Sequence, residues 1–116
     1  MKTIIAGSRS IRDMGHLGAA ILVCPWDITT VISGTATGVD TLGEEWAREN
    51  GIPVERFPAD WNKYGKSAGD IRNRQMAERA DALVALWDGN SRGTGHMIQA
   101  AHKAGLEVMI YRMVSK

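Results

Sequence analysis

The stretch Thr29-Thr30-Val31-Ile32-Ser33-Gly34-Thr35-Ala36-Thr37-Gly38-Val39-Asp40 decides the fold. Its first five residues are dominated by β-branched side chains and do not alternate, the pattern of a strand covered on both faces. A turn with two glycines follows. Then Val39, Leu42 and Trp46 mark one face of a helix that stops at Asn50-Gly51.

The same unit recurs on either side. Continuous apolar runs at Thr3–Ala6, Ala82–Trp87 and Glu107–Tyr111, with a weaker one at Pro53–Phe57, read as further strands. Helical stripes lie between them. One comprises Ile11, Met14, Leu17, Gly18 and Ile21, another Ile71, Met76 and Ala80, and a last one Met97, Ile98, Ala101 and Ala104 before Gly105. Alternation of strands and helices gives a parallel sheet with right-handed crossovers. The expected fold is α/β, a Rossmann-like three-layer sandwich with a five-stranded parallel sheet in the order 3-2-1-4-5 and helices on both faces. At 116 residues the chain is expected to form one domain over 1–116. The segment 59–69 is about twice the usual length of a connection in such a fold, which suggests a lid or binding loop.

The formal net charge of +1 gives no chain-wide nucleic-acid footprint, though it leaves room for a local basic pocket. No run approaches the ~20 apolar residues that span a bilayer. The start lacks a signal-peptide pattern, so a cytoplasmic protein is expected. The one cysteine, Cys24, sits in Ile-Leu-Val-Cys-Pro and reads as a buried small hydrophobe.

Ligands in this architecture bind beyond the carboxyl ends of the strands, where the strand order reverses. Three turns at that edge share glycines and hydroxyls: Gly7-Ser8-Arg9-Ser10, Gly34-Thr35-Ala36-Thr37-Gly38-Val39-Asp40, and Asp88-Gly89-Asn90-Ser91-Arg92-Gly93-Thr94-Gly95. Each leads into a helix N-terminus, whose free N–H groups favour an anion. Arg9, Arg92 and Arg72 could add bidentate phosphate contacts, whereas Arg12 and Arg74 read as solvated helix charges. Asp40 reads either as the acid of a capping box with Thr37 or as a ribose contact. Trp61 and Tyr64 could stack on a base, or Trp61 could close the core edge. Trp87 belongs to the core or faces the ligand.

Catalytic machinery is harder to find. His16, His96 and His102 have no obvious partners, and the six-residue spacing of the last two does not suit a metal. Neither a nucleophile elbow nor a Walker motif is present. Asp13, Asp60 and Asp88 are acid/base candidates only by position. No catalytic residue, metal ligand or cofactor is assigned.

With these turns in view, the chain resembles the SLOG superfamily, the Rossmann-like group that includes the LOG phosphoribohydrolases and the core of DprA, and within it the small YspA/cpYpsA-related branch. Four motifs carry the resemblance: Ile5-Ala6-Gly7-Ser8-Arg9, Ser33-Gly34-Thr35-Ala36-Thr37-Gly38-Val39-Asp40, Ile71-Arg72-Asn73-Arg74-Gln75-Met76, and Trp87-Asp88-Gly89 with Ser91-Arg92-Gly93-Thr94. The second is similar to the Ser-Gly-x-Ala-x-Gly-Ile-Asp signature of DprA. The resemblance implies a nucleotide-derived ligand, including cyclic ADP-ribose-type or cyclic-nucleotide immune signals, and a homodimer or homotetramer. The residues expected at the ligand are Gly7, Ser8 and Arg9; Gly34, Thr35, Ala36, Gly38, Val39 and Asp40; Arg72 and Asn73; and Asp88, Gly89, Ser91, Arg92, Gly93 and Thr94. LOG enzymes cleave the N-glycosidic bond of nucleoside monophosphates, and Met97 stands at the position of their catalytic Glu. Methionine cannot handle a proton, which argues for a binding protein, a sensor or sequestering agent. A lone domain with no effector to switch would soak up its ligand, as a phage-encoded anti-defence protein would in the host cytoplasm. The rivals are a LOG-like N-glycosidase, with Asp40 or Asp88 taking over the chemistry, and a DprA-like binder of single-stranded DNA, which the near-neutral charge disfavours.

Overall fold

In the computed structural model, which describes residues 1–113, five strands form one all-parallel sheet. They are β1 (Lys2–Gly7), β2 (Thr30–Ser33), β3 (Val54–Arg56), β4 (Ala82–Trp87) and β5 (Glu107–Arg112). The strand order is β3-β2-β1-β4-β5, the Rossmann-like order expected above. β1 and β4 lie side by side at the centre, in register from Thr3 opposite Ala82 to Gly7 opposite Leu86. The chain leaves β1 in one direction and returns to the sheet on its other side at β4. Their carboxyl ends therefore diverge around a crevice.

Alternation within the central strands sorts the core into two halves. Ile4, Ala6, Leu83 and Ala85 point to one face and pack with Met76, Ala77, Met97 and Ile98. Those partners come from α4 (Ala68–Arg79) and α5 (Arg92–Lys103). Ile5, Val84 and Leu86 point to the other face, against Leu17, Ala20, Val39, Leu42 and Ala47. That layer is α1 (Met14–Leu22) and α2 (Val39–Glu49). Ile4, Ile5, Leu83, Val84 and Leu86 are fully buried, which is why these strands read as unbroken apolar runs. No helix among the described residues is long and apolar enough to cross a membrane.

Two expectations need correcting. The segment 59–69 is not an open loop. Asp60 accepts a hydrogen bond from the Lys63 N–H at 3.1 Å and caps the one-turn helix α3 (Trp61–Tyr64). A 3₁₀ turn (Gly65–Ser67) leads directly into α4, so Arg72 and Arg74 lie a full turn or more inside that helix. On α1 the buried residues are Leu17 and Ala20, while Gly18 faces solvent. Ile11 is buried ahead of the helix and not on it.

Close packing makes one helical glycine indispensable. A Cβ at Gly43 would lie 2.9 Å from Cγ2 and 3.0 Å from Cβ of Ile5, a fully buried residue of β1. Gly43→Ala should therefore lose about 1–3 kcal/mol to overpacking, outweighing the ~1 kcal/mol that alanine gains in helix propensity. At Gly18 a Cβ meets no atom within 4 Å, and Gly18→Ala should stabilise by ~0.5–1 kcal/mol. Urea unfolding of both variants tests this pair, and equal effects at the two positions would contradict it.

Candidate functional site

Ser8 joins the two sides of the crevice. It is 1% exposed, in the turn after β1. Its N–H donates to the Leu86 carbonyl at 3.1 Å, and its own carbonyl accepts from the Ile11 N–H at 3.2 Å. Its hydroxyl hydrogen-bonds with the Ser91 hydroxyl at 2.7 Å, bridging to the turn after β4. That second turn is fixed in the same way. Asp88 Oδ1 accepts from the N–H groups of Asn90 and Ser91, both at 2.8 Å, and Asp88 Oδ2 accepts from the Ser91 hydroxyl at 3.1 Å. These bonds hold the Asp88 carboxyl below the usual carboxylate range.

The third turn, after β2, closes on the first through a missing side chain. Gly38 has φ +77°, and a Cβ there would lie 2.6 Å from backbone atoms of Ser8 and Arg9. Gly7 is packed as tightly, its Cα facing the Leu86 carbonyl and Val39. These two glycines serve the close approach of backbones.

The turns enclose a cleft of about 450 Å³. Its lining includes Gly7, Ser8, Arg9, Ala36, Asp40, Arg72, Asn73, Ser91, Arg92, Gly93 and Thr94, all expected from the sequence. Ala6, Ser10, Met76 and Met97 complete it. The two methionines are 2% and 1% exposed; their helical spacing marks them as core, and they also floor the cleft. Six expected residues stand behind the lining. Gly34 backs onto Arg72 and Asp40, Thr35 turns the chain at φ +63°, Gly38 and Val39 pack inward, Asp88 caps its turn, and Gly89 makes room for Arg112.

Charge in the cleft is unequal. Arg9 and Arg92 are exposed. Arg72 is half-buried: its Nη1 donates to the Gly34 carbonyl and its Nε donates to Asn73 Oδ1 at 3.0 Å. Burial lowers its pKa, and Asp40 opposes that shift. Asn73 is 5% exposed and works as a strut. Its amide also reaches the Gly93 carbonyl at 3.4 Å and His96 Nδ1 at 3.2 Å. His96 therefore has partners that sequence spacing did not reveal, with Asp70 Oδ1 a further 3.6 Å contact.

Asp40 is 6% exposed. Burial raises its pKa from 3.8 to about 6, against the Ala36 N–H it accepts from at 3.2 Å and the nearby Arg72. The bond goes back to the turn, though not to Thr37. A carboxylate in the first turn of α2 already occupies that helix end. α5 differs: its N-cap Ser91 makes no side-chain cap bond, and no acidic residue lies in its first turn. Its leading N–H groups lack intrahelical partners and belong to residues that line the cleft.

The other sequence candidates are accounted for locally. Asp13 caps α1 through the Gly15 N–H at 2.8 Å, and Asp60 caps α3. Trp87 packs against the core, and its indole N–H donates to the Ser91 carbonyl at 3.0 Å. Trp61 and Tyr64 are exposed and lie outside the cleft lining.

A sequence profile described as the YspA, cpYpsA-related SLOG family matches residues 1–64. The Gene 61 protein of Mycobacterium phage D29 is 35% identical over 118 aligned positions, covering 93% of this chain and 94% of that protein. The X-ray structure of DNA processing protein A (DprA) from Streptococcus pneumoniae superimposes with a TM-score of 0.73 at 18% identity. That match covers 94% of this chain and 49% of the DprA chain, so the present chain spans about half of it.

Asp40 also sets a pH dependence. Its native pKa lies above its unfolded one, so ionisation penalises the native state as pH rises through about 6, and the penalty is absent below 3.8. The stability of Asp40→Asn relative to the parent should therefore improve by ~2 kcal/mol between pH 4.5 and pH 7.5. Denaturant melts at the two pH values measure it; a constant difference would mean that the carboxyl titrates normally.

Proposed function

Because the chain belongs to the YspA/cpYpsA-related SLOG family, we propose that its cleft holds a phosphate-bearing, nucleotide-derived small molecule and retains it without cleaving it. The observation that carries this reading is the uncapped N-terminus of α5, free of acidic residues and set among Arg9, Arg72 and Arg92 in one cleft. Free N–H groups, the helix dipole and guanidinium groups all favour an anion. The end of α2, held by Asp40, would repel one. Phosphate therefore goes to the α5 side, leaving Asp40 beside Arg72 for a neutral hydroxyl such as that of a ribose.

The case for retention over hydrolysis rests on Met97. It lies in the cleft wall at the position where LOG enzymes carry their catalytic Glu, and it offers no proton and no charge. Asp88, the acid of the turn before α5, has its oxygens committed to its own cap. Such a protein would act as a sensor or sequestering agent. A phage relative fits one that withdraws a host signalling nucleotide from circulation.

A specific observation favours a second reading, that of a nucleotide N-glycosidase. Asp40 is a cleft carboxyl tuned to about 6, within the range useful to a general acid or base.

The test is to mix the purified protein with nucleoside monophosphates, ADP-ribose isomers and cyclic nucleotides, and to chromatograph the mixture before and after heat denaturation. A compound withdrawn from solution should return intact. Arg9→Ala, an exposed truncation, should weaken its binding about ten-fold or more with unchanged stability. Free base and sugar phosphate, lost in Asp40→Asn, would establish the enzyme instead.

A further inference from the structure

The four tryptophans are not placed alike. Trp26 and Trp46 pack against one half of the core and Trp87 against the other. Trp61 joins neither and is 54% exposed, on a turn fixed by the Asp60 cap. Its position is tied to the cleft through Gly69. A Cβ built on Gly69 would stand in ordinary van der Waals contact with Trp61 Cη2, at 3.7 Å, and with Arg72 Nη2, at 4.0 Å. The indole edge and the guanidinium thus come together over Gly69, the one from an exposed turn and the other from the cleft.

Arg72 spans the two regions. Its Nη1 end donates to the Gly34 carbonyl at the cleft. Its Nη2 end makes no hydrogen bond among the described residues and lies at Gly69, beside Trp61. We propose that Trp61 is the base-stacking platform of the site, taking the nucleobase of a nucleoside phosphate whose phosphate lies at α5; this rests on the nucleotide reading above. An exposed indole offers a flat π-face that any base can cover. The Arg72 guanidinium over the same glycine adds a planar cation that stacks or donates to base edges. The phosphate seat is polar and has no aromatic side chain in its lining, so without Trp61 the site has no means of distinguishing a nucleotide from its sugar phosphate by stacking.

The experiment compares the four common nucleoside 5′-monophosphates with ribose 5-phosphate, by calorimetry and by tryptophan emission. At least one nucleotide should bind roughly ten-fold or more tightly than ribose 5-phosphate and quench the emission. Trp61→Ala, a truncation at an exposed position, should remove that advantage while leaving ribose 5-phosphate affinity unchanged. Trp61→Phe should restore most of the affinity without the quench. A nucleotide advantage that survives in Trp61→Ala, or its absence in the parent protein, would overturn the platform and leave the phosphate seat standing. If neither nucleotides nor ribose 5-phosphate bind, both readings fall together.

Discussion

The structure of the site depends on how closely the backbone leaving β1 approaches its neighbours. Ser8 is held from three sides: by the Leu86 carbonyl, by the Ser91 hydroxyl, and by the turn at Gly38 pressed against it. Each contact is short because a side chain is missing or small. Gly7 lets the strand end lie against Leu86 and Val39, and Gly38 lets the second turn close on the first. Packing of this kind transmits strain instead of absorbing it. The walls of the cleft are thus set by the same contacts that set the spacing of the central strands.

Electrostatics at the cleft follow from that closeness. Asp40 and Arg72 are drawn out of solvent by the turns that meet over them, and each is shifted toward its neutral form by burial. Neither group is in its most stable condition for the fold alone, a common state of affairs at sites that bind charge. The contrast between the two helix ends has the same origin. α2 supplies its own anion, whereas α5 delegates its capping acid, Asp88, to the preceding turn and leaves its leading N–H groups uncovered.

Much of this was legible in the sequence, for physical reasons. Strands buried on both faces must be continuously apolar, so β1, β2 and β4 stood out, and their alternation with helices implied a parallel sheet. Glycine turns followed by helices marked the edge at which the cleft lies. Segment 59–69 was misread because a one-turn helix is too short for periodicity to reveal, and its only signal was the Asp60 cap. Gly18 was placed on the apolar stripe because a glycine carries no polarity to exclude it. Ser8, Ser91 and Asn73 were expected at the ligand and do line the cleft, but their bonds across it were not foreseen, because hydrogen bonds between residues far apart in sequence leave no local pattern. Met76 and Met97 show the same limit from the other side: a residue can be core by spacing and still form the floor of a cleft.

The bond between Ser8 and Ser91 closes a loop of 83 residues in sequence separation. One wall of the cleft comes from residues 6–40 and the other from residues 72–97, so neither half of the chain contains a site. Such a pairing pays its loop-closure entropy late, and the cleft comes into being only when β4 docks beside β1.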